Sequence, residues 1–393
     1  MGMVQLSVQR SVFLVFLLWL AGLGAAMQFA KIAVPFAEFR ALYPDAGAGI
    51  GWMLSIISLI GIFLGMTAGI LAARFGYQRV LIFGLILGAM MSFWQALIPS
   101  FSAMLISRLI EGISHLIVAV VAPTLIAQFT STRLRGMAMT LWSTFFGVAF
   151  ALTAWIGLPF VAQFGLDRLF IAHGIYMVVI TVSLVCAFRA FNVYIPRSDT
   201  KLSMTSIMRW HIDAYRSPAI SAPALGWLFY TMTFVSLLAI LPDTLPENSR
   251  TTLSAILPLI SIVSALILVS YLLWRYSAVR VVTIGFALAA GITALTLTNL
   301  PTPLIWIGLF AIMGLIQGAS FAAVPQLNST PQTQALSNGV MTQMGNLGNT
   351  LGTPILLFFL NGWNITGMLL AVAAIYAAGA LSHIYMAYRR SNA

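Results

Sequence analysis

Lys31, Arg108, Glu111 and His115 are ionisable side chains set inside otherwise apolar stretches. Arg108, Glu111 and His115 recur at i, i+3 and i+7, so on a helix they share one face within about 60°. Each such group costs about 2.5–3.5 kcal/mol or more at the centre of a bilayer. Their face must therefore look into protein or a wet cavity. Arg108, as a planar fork, and Lys31, as a mobile point charge, suit the holding of a carboxylate or similar anion. Glu111 and His115 beside them are candidates for carrying a coupled proton. A plainer alternative is open for each. Arg108 and Glu111 can neutralise each other as an i,i+3 pair, Lys31 can snorkel to an interface, and His115 can be a hydrogen-bonded helix contact.

The second half of the chain offers neutral groups instead. Trp227 and Tyr230, three residues apart, can stack a planar or apolar part of a solute. Gln317 stands in a later apolar stretch, and Gln343, Asn346 and Asn349 span two helical turns. Buried amides without partners are costly, so these three line a cavity or bond to a neighbouring helix. The candidate binding set is Lys31, Arg108, Trp227, Tyr230, Gln317 and Asn346, cationic in one half and neutral-polar to aromatic in the other. That suits a small organic anion. No Walker-type loop, metal-ligand spacing or nucleophile motif occurs, so no cofactor, no metal and no enzymatic activity are expected.

The elements that must position these groups follow from composition. Of 393 residues 61% are hydrophobic and only 7% charged, with a mean hydropathy of +0.99. So much apolar surface must face something other than water. A bilayer span takes about 20 mostly apolar residues. Hydropathy and punctuation predict twelve, at 12–38, 47–72, 80–98, 102–129, 137–162, 169–190, 219–243, 251–273, 280–299, 303–327, 335–360 and 363–388. The first run is too long for a cleavable signal. The expected fold is an all-α membrane protein with an N-terminal six-helix bundle (1–190), a cytoplasmic central loop (191–218) and a C-terminal six-helix bundle (219–393).

The net charge of +11 lies in the breaks between spans, not on a soluble patch with exposed aromatics, which excludes nucleic-acid binding. With loops numbered alternately, one side collects fourteen basic residues: Arg10, Arg74, Arg79, Arg133, Arg135, Arg189, Arg197, Lys201, Arg209, Arg216, Arg275, Arg280, Arg389 and Arg390. The other collects Arg40, Arg168 and Arg250. This bias predicts cytoplasmic termini and an even number of spans. Cys186, the one cysteine, has no partner for an internal disulfide.

The halves repeat. Arg74-Phe75-Gly76-Tyr77-Gln78-Arg79-Val80 aligns without a gap to Arg275-Tyr276-Ser277-Ala278-Val279-Arg280-Val281. Leu109-Ile110-Glu111-Gly112 likewise aligns to Leu315-Ile316-Gln317-Gly318. A six-plus-six parallel repeat is a transporter architecture.

On these residues the chain resembles the major facilitator superfamily. That family's loop between helices 2 and 3 reads Gly-x-Leu-x-Asp-Arg-x-Gly-Arg-Arg/Lys. Here it is Gly69-Ile70-Leu71-Ala72-Ala73-Arg74-Phe75-Gly76-Tyr77-Gln78-Arg79. Gly69, Arg74 and Gly76 match and Arg79 supplies a cation. Ala73 replaces the acidic residue that helps lock the outward-open state, which leaves that lock in question. Arg108-Leu109-Ile110-Glu111-Gly112 fits the helix 4 pattern Arg-x-x-x-Gly, whereas the Gly-Pro helix 5 signature of many proton antiporters is missing after Gly147. Within the superfamily the chain is similar to the cyanate/nitroimidazole permease-like branch. The resemblance implies a secondary transporter in a bacterial inner membrane, working as a monomer by alternating access. Its expected cargo is a small organic anion such as a carboxylate, taken up with a proton. Efflux of small drug-like molecules and solute sensing without transport are the alternatives.

Overall fold

Serines begin several helices. The hydroxyls of Ser7, Ser217 and Ser277 accept from the amides of Arg10, Ile220 and Arg280 at 3.3–3.4 Å. Each satisfies a donor that the first helical turn leaves without a main-chain partner. Pro218 follows Ser217 at the first helical position, where its fixed φ suits the helix and its missing amide costs nothing.

The computed structural model describes residues 6–65, 67–131, 134, 138–139, 141–142, 144–193, 204–245, 247–295, 302–329 and 331–392. Arg133, Arg135, Arg197 and Lys201, which entered the charge count, lie outside the described residues. The helices are α1 (Val8–Ala33), α2 (Phe36–Leu42), α3 (Trp52–Ser55), α4 (Leu59–Leu64), α5 (Ala68–Phe75), α6 (Tyr77–Gln95), α7 (Phe101–Phe129) and α8 (Phe145–Leu152). They continue as α9 (Leu158–Phe164), α10 (Leu166–Ala190), α11 (Met204–Arg216), α12 (Pro218–Ile240), α13 (Glu247–Leu273), α14 (Ala278–Ala294), α15 (Thr302–Leu327) and α16 (Pro331–Ser391).

Among the described residues, ten helical stretches are long and apolar enough to cross a bilayer. The fold is all-α and polytopic. The 61-residue α16 is broken by non-helical backbone at Trp363 and at Asn364, where φ is +58°. Asparagine is one of the few residues that enter this left-handed region readily. α14 is a shorter apolar helix of 17 residues.

Two expected helices are interrupted. The stretch at 47–72 becomes a 3₁₀ turn at Pro44–Gly51, α3, a second 3₁₀ turn at Ile56–Ser58, α4 and α5. Ser55, Ser58, Gly61, Gly65 and Gly69 bring low helix propensity to that segment, which accounts for the breaks. Between α8 and α9 the chain makes a π-turn over Thr153–Gly157. It sits just before Pro159, whose ring crowds the preceding turn and whose nitrogen cannot donate.

Packing groups the chain into two compact units, Met1–Pro35 with Thr67–Lys201, and Phe36–Met66 with Leu202–Ala393. In the first unit α1 packs on α7, α8 and α10, and α6 packs on α7 and α10. Leu14, Leu18, Leu81, Leu85, Leu125, Ile126 and Leu184 form its buried core. In the second unit α12 packs along α16, α13 along α15, and α14 against both α15 and α16, while α3 and α4 lie on α16. Residues 36–66 therefore pack with the second unit. The expected division at 190 and 219 is one of repeat topology, whereas this grouping is one of contact. Exposed side chains such as Phe83, Leu97, Ile267 and Leu381 are apolar, as contact with lipid tails requires.

Candidate functional site

Four helices of the first unit converge on a buried polar cluster, each carrying a pair of side chains one turn apart. α1 supplies Gln28 and Lys31, α6 supplies Ser92 and Gln95, α7 supplies Arg108 and Glu111, and α10 supplies Phe170 and His173. The side chains of Lys31, Arg108 and Glu111 are 2%, 0% and 0% exposed. Spacing of three on a helix stacks side chains on one face, so each pair enters the cluster without leaving a polar group toward lipid.

Glu111 is the shared acceptor. Its Oε1 takes the Lys31 ammonium at 2.6 Å. Its Oε2 takes the Arg108 guanidinium and, at 2.8 Å, the Gln95 amide. Gln95 Nε2 also reaches Ser107 Oγ at 3.2 Å. Two cations and one carboxylate leave the cluster with one net positive charge when the histidines are neutral.

Lys31 has three donors and uses them in three directions. Beside Glu111 it reaches Ser92 Oγ at 2.7 Å and approaches His173 Nδ1 at 3.4 Å. Its ammonium also lies 5.2 Å from the centre of the Phe170 ring, a cation–π distance. Ser92 Oγ sits 2.6 Å from His173 Nδ1, and His173 Nε2 sits 2.9 Å from the Gly24 carbonyl. A carbonyl only accepts, so Nε2 carries the proton. Nδ1 of the neutral ring then accepts from Ser92, which in turn accepts from Lys31. The direction of the whole chain follows.

His115 stands apart from this cluster. Its Nδ1 donates to the Ala25 carbonyl at 3.0 Å, and its ring meets the edge of Phe29 at 4.9 Å between centres. His173 and His115 thus bond to consecutive carbonyls of α1. Gly24 permits this: a Cβ there would lie 2.6 Å from Met177 Sδ on α10. One turn onward, Gln28 Nε2 donates to Ser114 Oγ at 2.9 Å. Gln28 Oε1 and Gln95 Oε1 are buried acceptors with no partner.

Trp227, Tyr230 and Gln317 come together in the second unit. The Trp227 and Tyr230 rings stack 4.7 Å apart at 18°, with the edge of Phe321 on Trp227 and Phe234 stacked on Tyr230. The Tyr230 hydroxyl donates to Gln317 Oε1 at 3.2 Å. Asn346 is not part of that group. Its Nδ2 bonds the Thr342 carbonyl at 2.7 Å, and its side chain covers Gly61 so closely that a Cβ there would overlap it. Gln343 lies on the same seam and donates to the Ile62 carbonyl at 2.9 Å. Gly345, Gly348 and Gly352 face another way, giving room to Trp227, Thr231 and Met232 on α12. Helix 2 glycines thus seat α16 amides, and α16 glycines seat α12.

In the loop motif, Gly76 joins α5 to α6 with φ +97°, a backbone that other residues adopt only at a cost. Arg74 and Arg79 flank it, both exposed, and Gly69 faces Val120 of α7.

Sequence reading did not single out Ser92, Gln95, Phe170 or His173. A histidine and a glutamine inside predicted spans were the available signals, since each polar side chain there needs a partner. Which helix supplies the partner is settled only by packing.

A polytopic helical protein with a buried ionic cluster on facing helices is the architecture of membrane transport. The sequence profile of the Major Facilitator Superfamily matches residues 14–353, and the chain belongs to that family. It is similar to the niacin transporter NiaP of Acinetobacter baylyi, 29% identical over 166 residues. That match covers 40% of this chain and 37% of the relative.

Proposed function

We propose that the protein is a secondary transporter, not an enzyme, that carries a small organic anion across the cytoplasmic membrane by alternating access. The observation that carries the reading is the Lys31–Glu111–Arg108 cluster, in which two buried cations share one carboxylate. Such a cluster recognises carboxylates by construction, because Glu111 already occupies the place of one. If Glu111 takes a proton it no longer claims either cation, and a solute carboxylate can replace it with no change in the cluster's charge. Anion and proton then move together, which gives uptake coupled to a proton. His173 and Ser92, which pass hydrogen bonds on from Lys31, are the polar path beside that exchange. In this scheme His115, its Nδ1–H bonded to the Ala25 carbonyl, holds α7 to α1 and takes no part in the coupled proton's transfer.

The aromatic group in the second unit suits the rest of such a solute. The stacked Trp227–Tyr230 pair offers aromatic surroundings to a planar ring, and Gln317, whose oxygen takes the Tyr230 hydroxyl, keeps its amide N–H for a polar ring atom. Niacin, the cargo named for the similar transporter, joins one carboxylate to one planar ring. That chemistry supports an aromatic or heteroaromatic monocarboxylate as the cargo here. Twelve spans in two six-helix bundles, with both termini cytoplasmic and Gly69, Arg74, Gly76 and Arg79 in the gating loop, complete the proposal. The charge bias across alternate loops supports the orientation, and the unit that works is the monomer.

The test is uptake of labelled nicotinate and a panel of small carboxylates into proteoliposomes, at two external pH values. Wild type should accumulate one or more of them, faster at the lower pH, and Arg108→Gln should abolish it. Anion uptake unchanged in both Arg108→Gln and Lys31→Gln would sink the reading and make the cluster a structural staple. Export of solute from loaded vesicles without uptake would favour efflux, and tight binding without flux would favour a sensor.

A further inference from the structure

The connecting helix α11 is amphipathic in a particular way. At about 100° per residue, Ala214, His211 and Tyr215 fall on one arc, and Ala214 is fully buried. Tyr215 OH and His211 Nε2 both bond to Gln343 of α16, each at 3.2 Å. On the adjoining arc, Met208 (58% exposed) and Ile212 (44% exposed) run on to Arg216 and Arg209, both exposed. Asp213 closes that arc on its far side.

The helix ends at Arg216, and the span α12 begins two residues later at Pro218. Its outer arc therefore lies at the membrane surface. Two apolar side chains beside two arginines are what a helix in the plane of the interface presents to lipid. The end of α16 comes to the same place. Arg389 Nη2 bonds the Arg216 carbonyl at 3.4 Å and Arg390 Nη1 bonds the Pro218 carbonyl at 3.2 Å. Each guanidinium carries five N–H donors, so one bond to a carbonyl fixes its position and spares a fork for another acceptor. Tyr385, one turn before Arg389, and Tyr388, beside it, are 58% and 65% exposed, as ring anchors at the headgroup level are.

We infer that Arg216, Arg389 and Arg390, with Arg209 alongside, form a binding site for the phosphate of an anionic phospholipid. Its acyl chains run down the exposed faces of Met208, Ile212 and Tyr388. Among the described residues of α11 and the end of α16, these four arginines stand with one acidic side chain, Asp213, so the site prefers phosphatidylglycerol over a zwitterionic lipid. The site is independent of what the protein transports. Its role is to hold α11, and through His211 and Tyr215 the amide of Gln343, at the membrane surface.

The test titrates delipidated full-length protein with phosphatidylglycerol or phosphatidylcholine and counts retained lipid by native mass spectrometry. Wild type should retain one tight phosphatidylglycerol that phosphatidylcholine does not replace. Charged contacts at a membrane surface each contribute on the order of fivefold, so Arg216→Gln, Arg389→Gln and Arg390→Gln combined should weaken that lipid about a hundredfold. The matching triple change to Lys keeps the charge but not the forks and should lose much less, which holds even if the Gln variant folds poorly. Equal retention of the two lipids by wild type, or unchanged retention in the Gln variant, overturns the site. So does displacement by millimolar glycerol phosphate, which would make it a general anion site and not a lipid site.

Discussion

Lys31 reaches Glu111 across 80 residues of sequence, its Nζ 2.6 Å from Oε1, while Arg108, three residues from Glu111, holds the other oxygen of the same carboxylate. The pairing is asymmetric in its consequences. Removing either cation leaves one neutral pair, but removing the anion leaves two buried cations facing each other.

Glu111→Gln should therefore be the most destabilising change in the cluster, by about 3–5 kcal/mol, because an uncompensated buried charge costs far more than a lost contact. Lys31→Met and Arg108→Met should each cost less. The rank order is read from unfolding midpoints in detergent. If Glu111→Gln proved the mildest of the three, Glu111 would be protonated in the resting protein and the ion pairs would not exist. In transport, Glu111→Gln imitates the protonated residue and should flatten the dependence of uptake on external pH.

His173 should be neutral with its proton on Nε2, since that atom faces the Gly24 carbonyl and Nδ1 faces the Ser92 hydroxyl. His115 should show the other tautomer, with Nδ1 bonded to the Ala25 carbonyl. Nitrogen chemical shifts of ¹⁵N-histidine-labelled protein distinguish the two. Ser92→Ala should move the His173 Nδ1 signal and leave His115 unchanged, at a stability cost of about 1 kcal/mol, the usual worth of one hydrogen bond. Identical tautomers at both positions would contradict the directed chain from Lys31 through Ser92.

Gly61 and Asn346 should behave as a pair. A Cβ at Gly61 would overlap the Asn346 side chain, so Gly61→Ala alone should slow transport and lower stability. Asn346→Ala removes the obstacle, and the double variant should recover much of the loss. Contacting residues show coupling energies of about 0.5–3 kcal/mol in such a cycle. Strict additivity in the melting measurements would mean that the two residues do not touch in the working protein.

The sequence was informative wherever one helix holds all the information. The Arg108–Glu111 pair, the Trp227–Tyr230 pair and the Gly76 turn are each spelled within a few residues, and the apolar runs announce the spans through length alone. What joins helices was less legible. Lys31 looked able to snorkel, yet it points inward because Ser92, His173 and Glu111 converge on it from three other helices. Gly345, Gly348 and Gly352 seat α12 while Gly61 and Gly65 seat amides of α16, a pairing that spacing alone does not spell, because side-chain direction depends on packing geometry as well. The breaks in helix 2 were foreshadowed by Ser and Gly but hidden by its high hydropathy, which reports burial and not backbone continuity.

Gln343 joins three elements, and its two ends are not interchangeable. Its Nε2 donates to the Ile62 carbonyl at 2.9 Å and lies 3.2 Å from His211 Nε2, while its Oε1 accepts from Tyr215 at 3.2 Å. A carbonyl only accepts, so the Ile62 contact fixes which way the amide points and makes His211 Nε2 an acceptor. Gln343→Glu should then be more harmful than Gln343→Met. The carboxylate keeps the Tyr215 bond but sets oxygen against the Ile62 carbonyl, whereas Met only deletes bonds, at about 1–3 kcal/mol. Hydrogen exchange over residues 59–65 and 204–216 reads both segments at once, and both should speed up together in either variant. Faster exchange in 204–216 alone would mean that α11 is held to α16 without any link to helix 2.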